Sequence, residues 1–128
     1  MTQNRPKTQK YDLAERTFKF ADDVRIFVSA LPKTVITIED TKQLVRSSGS
    51  IGANYIEADD PLGKKDLVMR MRICRKEAKE SVYWLRLLQR STPENLEEEN
   101  LRLLKETKEF LLIFSAIIRK LEGKIENA

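Results

Sequence analysis

The stretch "DLVMRMRICRKEAKESVYWLRLLQR", residues 66–90, decides the fold of this chain. Its apolar and small side chains recur at alternating intervals of four and three: Leu67, Met71, Cys74, Ala78, Ser81, Leu85 and Leu88. This spacing keeps one stripe of a helix apolar, whereas a β-strand would need a period of two. The stretch is therefore predicted to be a long amphipathic helix, the third element of the chain.

The last segment of the chain repeats the same four-three spacing. Its apolar and small side chains are Leu104, Thr107, Leu111, Phe114, Ile118, Leu121 and Ile125. Pro93 suits the first turn of a helix, where its missing N–H costs nothing. The acids Glu94, Glu97, Glu98 and Glu99 favour the positive end of the helix dipole. A fourth helix is therefore predicted after Pro93.

The N-terminal half predicts two more helices. Asp12 and Glu15 have the spacing of a capping box at the start of the first helix, and Pro32 ends it. Its apolar face consists of Leu13, Phe20, Val24, Phe27, Val28 and Leu31. Thr37 is the expected N-cap of the second helix, which should run from 38 to about 58. The segment "DDPLGKK" that follows is predicted to be a turn.

Four helices joined by short turns predict an all-α, up-down-up-down four-helix bundle. At 128 residues the chain is most simply one bundle domain at 12–128, preceded by a flexible basic tail at 1–11. This tail lacks the apolar core of a signal peptide, and no segment has the ~20 apolar residues of a membrane span. We therefore expect a cytoplasmic protein.

The stretch "RSSGSIGANYIEA", residues 46–58, differs from its neighbours because Ser, Gly and Ala crowd together in it. Its apolar residues keep helical spacing, and it lacks the Lys-Ser or Lys-Thr ending of a phosphate-binding loop. Two interior glycines cost a helix about 1 kcal/mol each relative to Ala. Close approach of another helix would offset that cost. Arg46 and Asn54 are then the residues expected to hydrogen-bond across helices or between subunits.

The fourth helix has more apolar surface than one seam requires. Leu103, Phe110 and Ile117 form a second row, spaced by seven, beside the first. A surface helix of a globular protein has an apolar stripe about 100° wide. The surplus indicates either a deeply buried helix or a surface for self-association, and both interpretations stay open.

The composition removes most catalytic chemistry. The chain has no His and one cysteine, Cys74, so it lacks the residues of His-dependent hydrolases, Cys-based zinc sites and intramolecular disulfides. Glu57, Glu77 and Glu80 are the acids that could bind magnesium in a nucleotide hydrolase, although solvated or salt-bridged acids are the simpler interpretation. We expect no cofactor, no metal and no enzymatic activity.

A basic face, hereafter the ridge, lies opposite the apolar seam of the third helix. It consists of Arg72, Arg75, Lys76, Lys79, Tyr83, Arg86 and Arg90. Residues 60–91 contain nine Lys or Arg and four Asp or Glu, a balance of +5 in a chain whose net charge is +4. A row of cations can neutralise phosphates, and an aromatic side chain can stack on unpaired bases. The alternative is an ordinary charged solvent face, muted by Glu77 and Glu80.

These residues resemble a known family, the bacterial four-helix-bundle proteins first noticed as reading frames in intervening sequences of 23S ribosomal RNA genes. The second-helix pattern R-x-S-x-S-I-x-x-N-x-x-E is matched by Arg46, Ser48, Ser50, Ile51, Asn54 and Glu57. The third-helix pattern E-A-x-E-x-x-Y-W-L is matched by Glu77, Ala78, Glu80, Tyr83, Trp84 and Leu85. Gly52 and Ala58 depart from the family, which often has Pro and Gly there. The resemblance covers roughly residues 12–122.

The resemblance implies a ring-shaped homo-oligomer, with pentamers typical, and a similarity to the accessory variability protein of diversity-generating retroelements. That relative is a basic pentamer that binds nucleic acid and a reverse transcriptase. No enzymatic activity is established for the family. The motif positions expected to serve helix packing or a subunit interface are Arg46, Ser48, Ser50, Asn54, Glu57, Leu103, Phe110 and Ile117.

We therefore predict a non-enzymatic homo-oligomer that binds RNA or DNA through the ridge and can act as an adaptor for a protein partner. One alternative is a protein-interaction scaffold that binds no nucleic acid. The other is a metal-dependent nucleotide hydrolase.

Overall fold

The computed structural model describes residues 12–59 and 61–127, and this part of the chain is helical without any strand. The helices are α1 (Leu13–Ser29), α2 (Val35–Ala58), α3 (Lys64–Gln89) and α4 (Glu97–Asn127), with a short 3₁₀ turn (Glu94–Leu96) before α4. The predicted all-α class with four helices is confirmed. The predicted tail at 1–11 lies outside the described residues.

The helices pack in the order in which they occur in the chain. α1 contacts α2 and α4, and α3 contacts the same two helices on the opposite side of the bundle. Neighbouring helices run antiparallel: Cys74 of α3 meets Ile51 of α2, whereas Arg70, one turn earlier, meets Asn54, one turn later. This is the arrangement that short connections between helices favour.

The seam predicted for α3 is buried against the core. Met71, Cys74, Ala78, Ser81, Leu85 and Leu88 are buried, and Leu67 is partly buried. In the middle of the bundle the rings of Phe20 and Phe110 pack edge to face, with their centroids 5.4 Å apart. Burial of each such large side chain stabilises the fold by about 1.5–3 kcal/mol, so the α3 seam and these two rings belong to one stabilising core.

Two helix starts differ from the prediction. α2 begins at Val35, and its N-cap is Thr34 rather than Thr37. Both threonines form a capping box: the Thr34 hydroxyl accepts from the Thr37 N–H, and the Thr37 hydroxyl accepts from the Thr34 N–H. Thr37 lies one turn inside the helix because its hydroxyl also donates to the Pro32 carbonyl, 2.6 Å away. Asp12 does precede α1, but its side chain makes no capping hydrogen bond, so the box predicted with Glu15 is absent.

α1 and α2 approach closely at the small residues of α2, as the two glycines predicted. A Cβ atom placed on Gly52 would lie 2.9 Å from Oγ1 and 3.2 Å from Cβ of Thr17 in α1. Thr17 is fully buried, and its hydroxyl donates to the Leu13 carbonyl 2.7 Å away. A side chain on Gly52 would therefore push the two helices apart.

Ion pairs join α1 to α4. The guanidinium of Arg16 lies 2.7 Å from Glu106 and 2.6 Å from Glu109, and hydrogen bonds to these carboxylates raise its pKa. Farther along the same two helices, Arg102 of α4 donates a hydrogen bond to Asp23 of α1 at 2.9 Å. The charged residues at this boundary thus pair with one another. None of the described helices is long and apolar enough to cross a membrane.

Candidate nucleic-acid interface

The ridge lies on the outer side of α3, next to α4. The guanidinium of Arg72 pairs with Glu122 of α4, which places this side of α3 beside that helix. Tyr83 is 55% exposed, and the ridge cations are exposed except Arg75, which is half-buried. All seven predicted residues therefore share one accessible face of α3, as their spacing predicted.

Two of the ridge cations have carboxylate partners, and four do not. Arg72 pairs with Glu122, and the Lys76 ammonium lies 3.9 Å from Glu80. Among the described residues no carboxylate lies within 4.0 Å of the other four: Arg75, Lys79, Arg86 and Arg90. The unpaired part of the ridge, hereafter the cationic half, therefore runs from Arg75 to Arg90.

Two aromatic side chains lie within this cationic half. The rings of Tyr83 and Trp84 meet edge to face, with centroids 5.0 Å apart and an interplanar angle of 81°. Trp84 is half-buried and packs against the hydrophobic core. The contact limits the orientations of the Tyr83 ring, which is more exposed. Aromatic pairs of this geometry contribute about 0.5–1.5 kcal/mol beyond their buried area.

The opposite edge of α3, which faces α2, pairs its charges. Nη2 of Arg46 bonds to Glu80 and lies 3.2 Å from Oε1 of Glu77, without the alignment of a hydrogen bond to that atom. Glu77 is 7% exposed. Burial opposes the charge of Arg46, but the two carboxylates outweigh it and raise its pKa. Glu77 and Glu80 therefore balance an arginine of α2 rather than the whole of the ridge.

These acids do not form the magnesium site of the hydrolase hypothesis. Glu77 and Glu80 pair with Arg46, while Glu57 is exposed on α2 eleven residues beyond Arg46, about 16 Å along the helix axis. Among the side chains that the structure describes, no group of three or more His, Cys, Asp or Glu is placed to hold a metal ion. Glu57, Glu77 and Glu80 are therefore not brought together in one metal site, because Glu57 lies at a different level along the bundle.

Ser48, Ser50 and Asn54 of the second-helix motif make contacts within the bundle. Ser48 is buried, and its hydroxyl donates to the Val45 carbonyl. Asn54 donates to the Ser50 carbonyl at 2.9 Å and accepts from Arg70 of α3 at 3.1 Å. Next to this motif the hydroxyls of Ser47 and Ser81, both fully buried, bond to each other at 2.9 Å. Sequence reasoning missed the last pair, although Ser81 lies in the predicted seam.

The second apolar row of α4 lies mostly inside the bundle. Leu103 and Phe110 are fully buried and Ile117 is half-buried, so for the first two residues the structure favours the interpretation of a deeply buried helix. Large exposed apolar side chains occur elsewhere, including Phe18 of α1 and Ile56 of α2. These two flank a groove of about 450 Å³ between α1 and α2. Sequence reasoning missed it, although Phe18 lies off the apolar face of α1.

The groove is lined mostly by small and apolar residues. Its lining consists of Ala14, Thr17, Phe18, Ala21, Asp22, Arg25, Gly49, Gly52, Ala53 and Ile56. The Arg25 guanidinium would lie 3.3 Å from a Cβ atom at Gly49, so it covers part of the α2 side. The same small residues that let α1 and α2 approach thus leave a shallow apolar surface outside their contact.

Comparisons with known proteins agree with this architecture. A family model described as 23S rRNA-intervening sequence protein matches residues 9–115. Among solved structures, the chain is similar to a protein with unknown function from the S23 ribosomal protein family of Bacteroides thetaiotaomicron. The TM-score is 0.71 and the identity 28%, over 86% of this chain and 97% of that one. No curated protein matches the chain.

Proposed function

The chain belongs to the 23S rRNA-intervening sequence protein family, and from this premise we propose that it is a non-enzymatic, cytoplasmic nucleic-acid-binding protein. The ridge on α3 is its binding surface, and several copies of the chain assemble so that their ridges act together. The unpaired cations of the ridge carry this proposal, because such cations are free to replace the counterions of a phosphate backbone.

The contrast between the two edges of α3 supports this function over an ordinary solvent face. On the edge toward α2, the acids Glu77 and Glu80 lie close to Arg46. On the ridge, Lys79, Arg86 and Arg90 have no carboxylate within 4.0 Å among the described side chains, although the chain carries 20 acids. Like charges left together on one face repel one another, and a polyanion would relieve that repulsion.

Self-association would extend the ridge into a larger basic surface. We propose a second copy of the chain as the occupant of the α1–α2 groove. The exposed side chains around this groove include the acids Glu15, Asp22 and Glu57, whereas exposed Lys105, Lys108 and Leu112 lie on α4. Arg25 offsets Asp22 in the groove lining, so the remaining charge around the groove comes from Glu15 and Glu57, and a basic, partly apolar α4 surface is complementary to it. A contact between two different surfaces can close into a ring.

The test of nucleic-acid binding is a charge reversal at the unpaired cations. Lys79, Arg86 and Arg90 are replaced by Glu in one triple variant, and binding to RNA and DNA oligonucleotides is measured by fluorescence anisotropy over a range of salt. We expect the triple variant to lose at least 100-fold in affinity at ~0.1 M salt, because each lost phosphate contact removes a counterion-release contribution. The slope of log affinity against log salt should become shallower.

A matched control carries the same change of charge outside the ridge. Lys19, Lys33 and Lys42 are exposed and lie on α1, in the α1–α2 connection and on α2, outside the groove and the α4 surface. Their triple reversal to Glu should weaken binding much less than the ridge reversal. Equal losses of affinity in the two variants would show that binding depends only on the net charge of the protein. They would reject the ridge as the site. Absence of salt-sensitive binding in the wild type would reject the function.

The groove between α1 and α2 favours a second candidate function, a protein scaffold. The solution mass of the untreated protein and its ratio of absorbance at 260 and 280 nm report subunit number and bound nucleic acid together. An oligomer that Phe18→Glu dissociates supports self-association through the groove. A monomeric wild type rejects self-association, and capture of a protein partner after nuclease treatment, with no oligonucleotide binding, favours the scaffold.

A further inference from the structure

We infer that the ridge takes a single-stranded polynucleotide, with one unpaired base stacked on Tyr83. This inference rests on the proposed function, and it names the class of nucleic acid that the same site accepts. Two independent features carry it: the width of the face on which the ridge lies, and the position of an exposed aromatic ring among unpaired cations.

The ridge lies on a face too broad to enter a duplex groove. Arg72 of the ridge reaches Glu122, and the Leu85 carbonyl accepts from Asn100, so α3 and α4 lie side by side along this face. Packed helices are about 8–10 Å apart and each is about 10–12 Å across, which makes the face about 20 Å wide. The major groove of B-DNA is about 12 Å wide, and that of A-form RNA is narrow and deep.

A duplex that lies across both helices would therefore meet the ridge through its backbone. Its bases would remain stacked inside the helix, and Tyr83 at the middle of the cationic half would contact sugar and phosphate alone. A single strand can turn its bases outward onto an aromatic ring. The 55% exposure of Tyr83 is therefore useful to a single strand and of little use to a duplex.

The cations near Tyr83 can hold the phosphates on both sides of a stacked base. Lys79 precedes the ring by four residues and Arg86 follows it by three, so they lie about 6 Å and about 4.5 Å away along the helix axis. Arg90 continues the row one turn farther. The edge-to-face contact with Trp84 limits the positions of the ring before any ligand arrives. Less conformational entropy is then lost when a base stacks.

The test compares one unstructured sequence as a single strand and as a blunt duplex, each made of RNA and of DNA, with the full chain at fixed salt. We expect the wild type to bind the single strand at least tenfold more tightly than the duplex. Tyr83→Ala should weaken single-strand binding by about 5- to 100-fold, the loss typical of one aromatic stack. It should change duplex binding less than twofold. The RNA and DNA arms report which sugar the site prefers.

Tyr83→Phe is the matched control, because it keeps the ring and removes only the hydroxyl. It should bind the single strand within twofold of the wild type. Trp84 is the single tryptophan of the chain and touches Tyr83, so its fluorescence should change on titration with the single strand. Circular dichroism checks that Tyr83→Ala remains folded.

The outcomes separate this inference from the proposed function. Equal affinity for single strand and duplex, or a Tyr83→Ala variant that binds the single strand like the wild type, would overturn the stacking inference while nucleic-acid binding stands. If the wild type binds neither form, both are overturned. Loss of binding to both forms in Tyr83→Ala, with the fold intact, would also overturn the stacking of an unpaired base.

Discussion

The contacts of α2 and the ridge of α3 are two polar regions of one bundle, built in opposite ways. Around α2, small side chains bring helices together, and polar groups find partners: the hydroxyls of Ser47 and Ser81 bond to each other, and Arg46 lies between two carboxylates. On the ridge, less than one helix diameter away across α3, four cations lack a carboxylate partner among the described side chains.

This difference shows which part of the family resemblance concerns the fold. The second-helix motif contributes contacts inside the bundle, such as the one between Asn54 and Arg70. The third-helix motif contributes to both regions, because Glu77 and Glu80 face α2 whereas Tyr83 lies on the ridge. Substitutions around α2 should therefore change stability, and substitutions on the ridge should change binding.

The largest effect on stability is expected at the contact of α2 with α1. Gly52→Ala should lower the free energy of unfolding by about 2 kcal/mol, because Thr17 is held in place by its hydrogen bond to Leu13, so that overpacking at the upper end of about 1–3 kcal/mol outweighs the gain of about 1 kcal/mol in helix propensity. Chemical denaturation measures this change. Gly123→Ala is the matched control: no atom lies within 4 Å of the added Cβ, so the gain in helix propensity should stabilise by up to about 1 kcal/mol. A Gly52→Ala protein as stable as the wild type would contradict the close approach.

A smaller effect is expected where α2 meets α3. Arg46→Ala leaves the buried Glu77 without its cation, which should destabilise the fold by about 1 kcal/mol, the low end for an unpaired buried group because solvent screens the half-exposed Arg46. Arg86→Ala on the ridge should change stability by less than about 0.5 kcal/mol.

For oligonucleotide binding, we expect the order of the two effects to be the reverse of their order for stability. Arg86→Ala should weaken binding, and Arg46→Ala should leave it within twofold of the wild type. Each arginine then serves as the control for the other. If Arg46→Ala weakened binding more than Arg86→Ala, the separation of the two regions would not hold.

Much of the fold could be predicted because heptad spacing reports burial directly. The α3 seam was predicted residue by residue, and the outward position of the ridge followed from the same periodicity. The start of α2 was missed because Thr34 and Thr37 are equally good caps by residue type. The choice between them depends on the Pro32 carbonyl, which accepts from the Thr37 hydroxyl.

The candidate site was less predictable, since partners on other helices decide which charges are free. Local spacing placed Lys79 near acids, but it could not show that Glu80 lies closer to Arg46 and Lys76, or that Arg72 reaches Glu122. Nor could it show that Leu103 and Phe110 are buried while Phe18 is exposed. These outcomes depend on how each helix is rotated about its own axis within the bundle. The sequence of one helix alone does not specify that rotation.

The smallest effect is expected at Cys74, on the side of α3 that packs against α2. Its thiol is fully buried, donates to the Ile51 carbonyl at 3.4 Å, and has its pKa raised to about 12 by burial. At pH 8 a thiol reagent should therefore leave the native protein unmodified and react after denaturation, whereas the exposed Lys79 should react with an amine reagent in the native state. Reaction of native Cys74 as fast as that of the unfolded chain would contradict its packing.

The raised pKa of Cys74 also predicts a stability loss in alkali. In the unfolded chain the thiol has its ordinary pKa of 9.0 and ionises as the pH rises past that value, whereas the folded protein keeps the proton until about pH 12. Stability therefore falls as the pH rises between these two values, and below about pH 8 the thiol adds almost no pH dependence. Because Tyr and Lys residues titrate in the same range, Cys74→Ala is the control. From pH 8 to pH 10.5 the wild type should lose more unfolding free energy than Cys74→Ala, and equal losses would show that the thiol ionises as readily in the fold as in the unfolded chain.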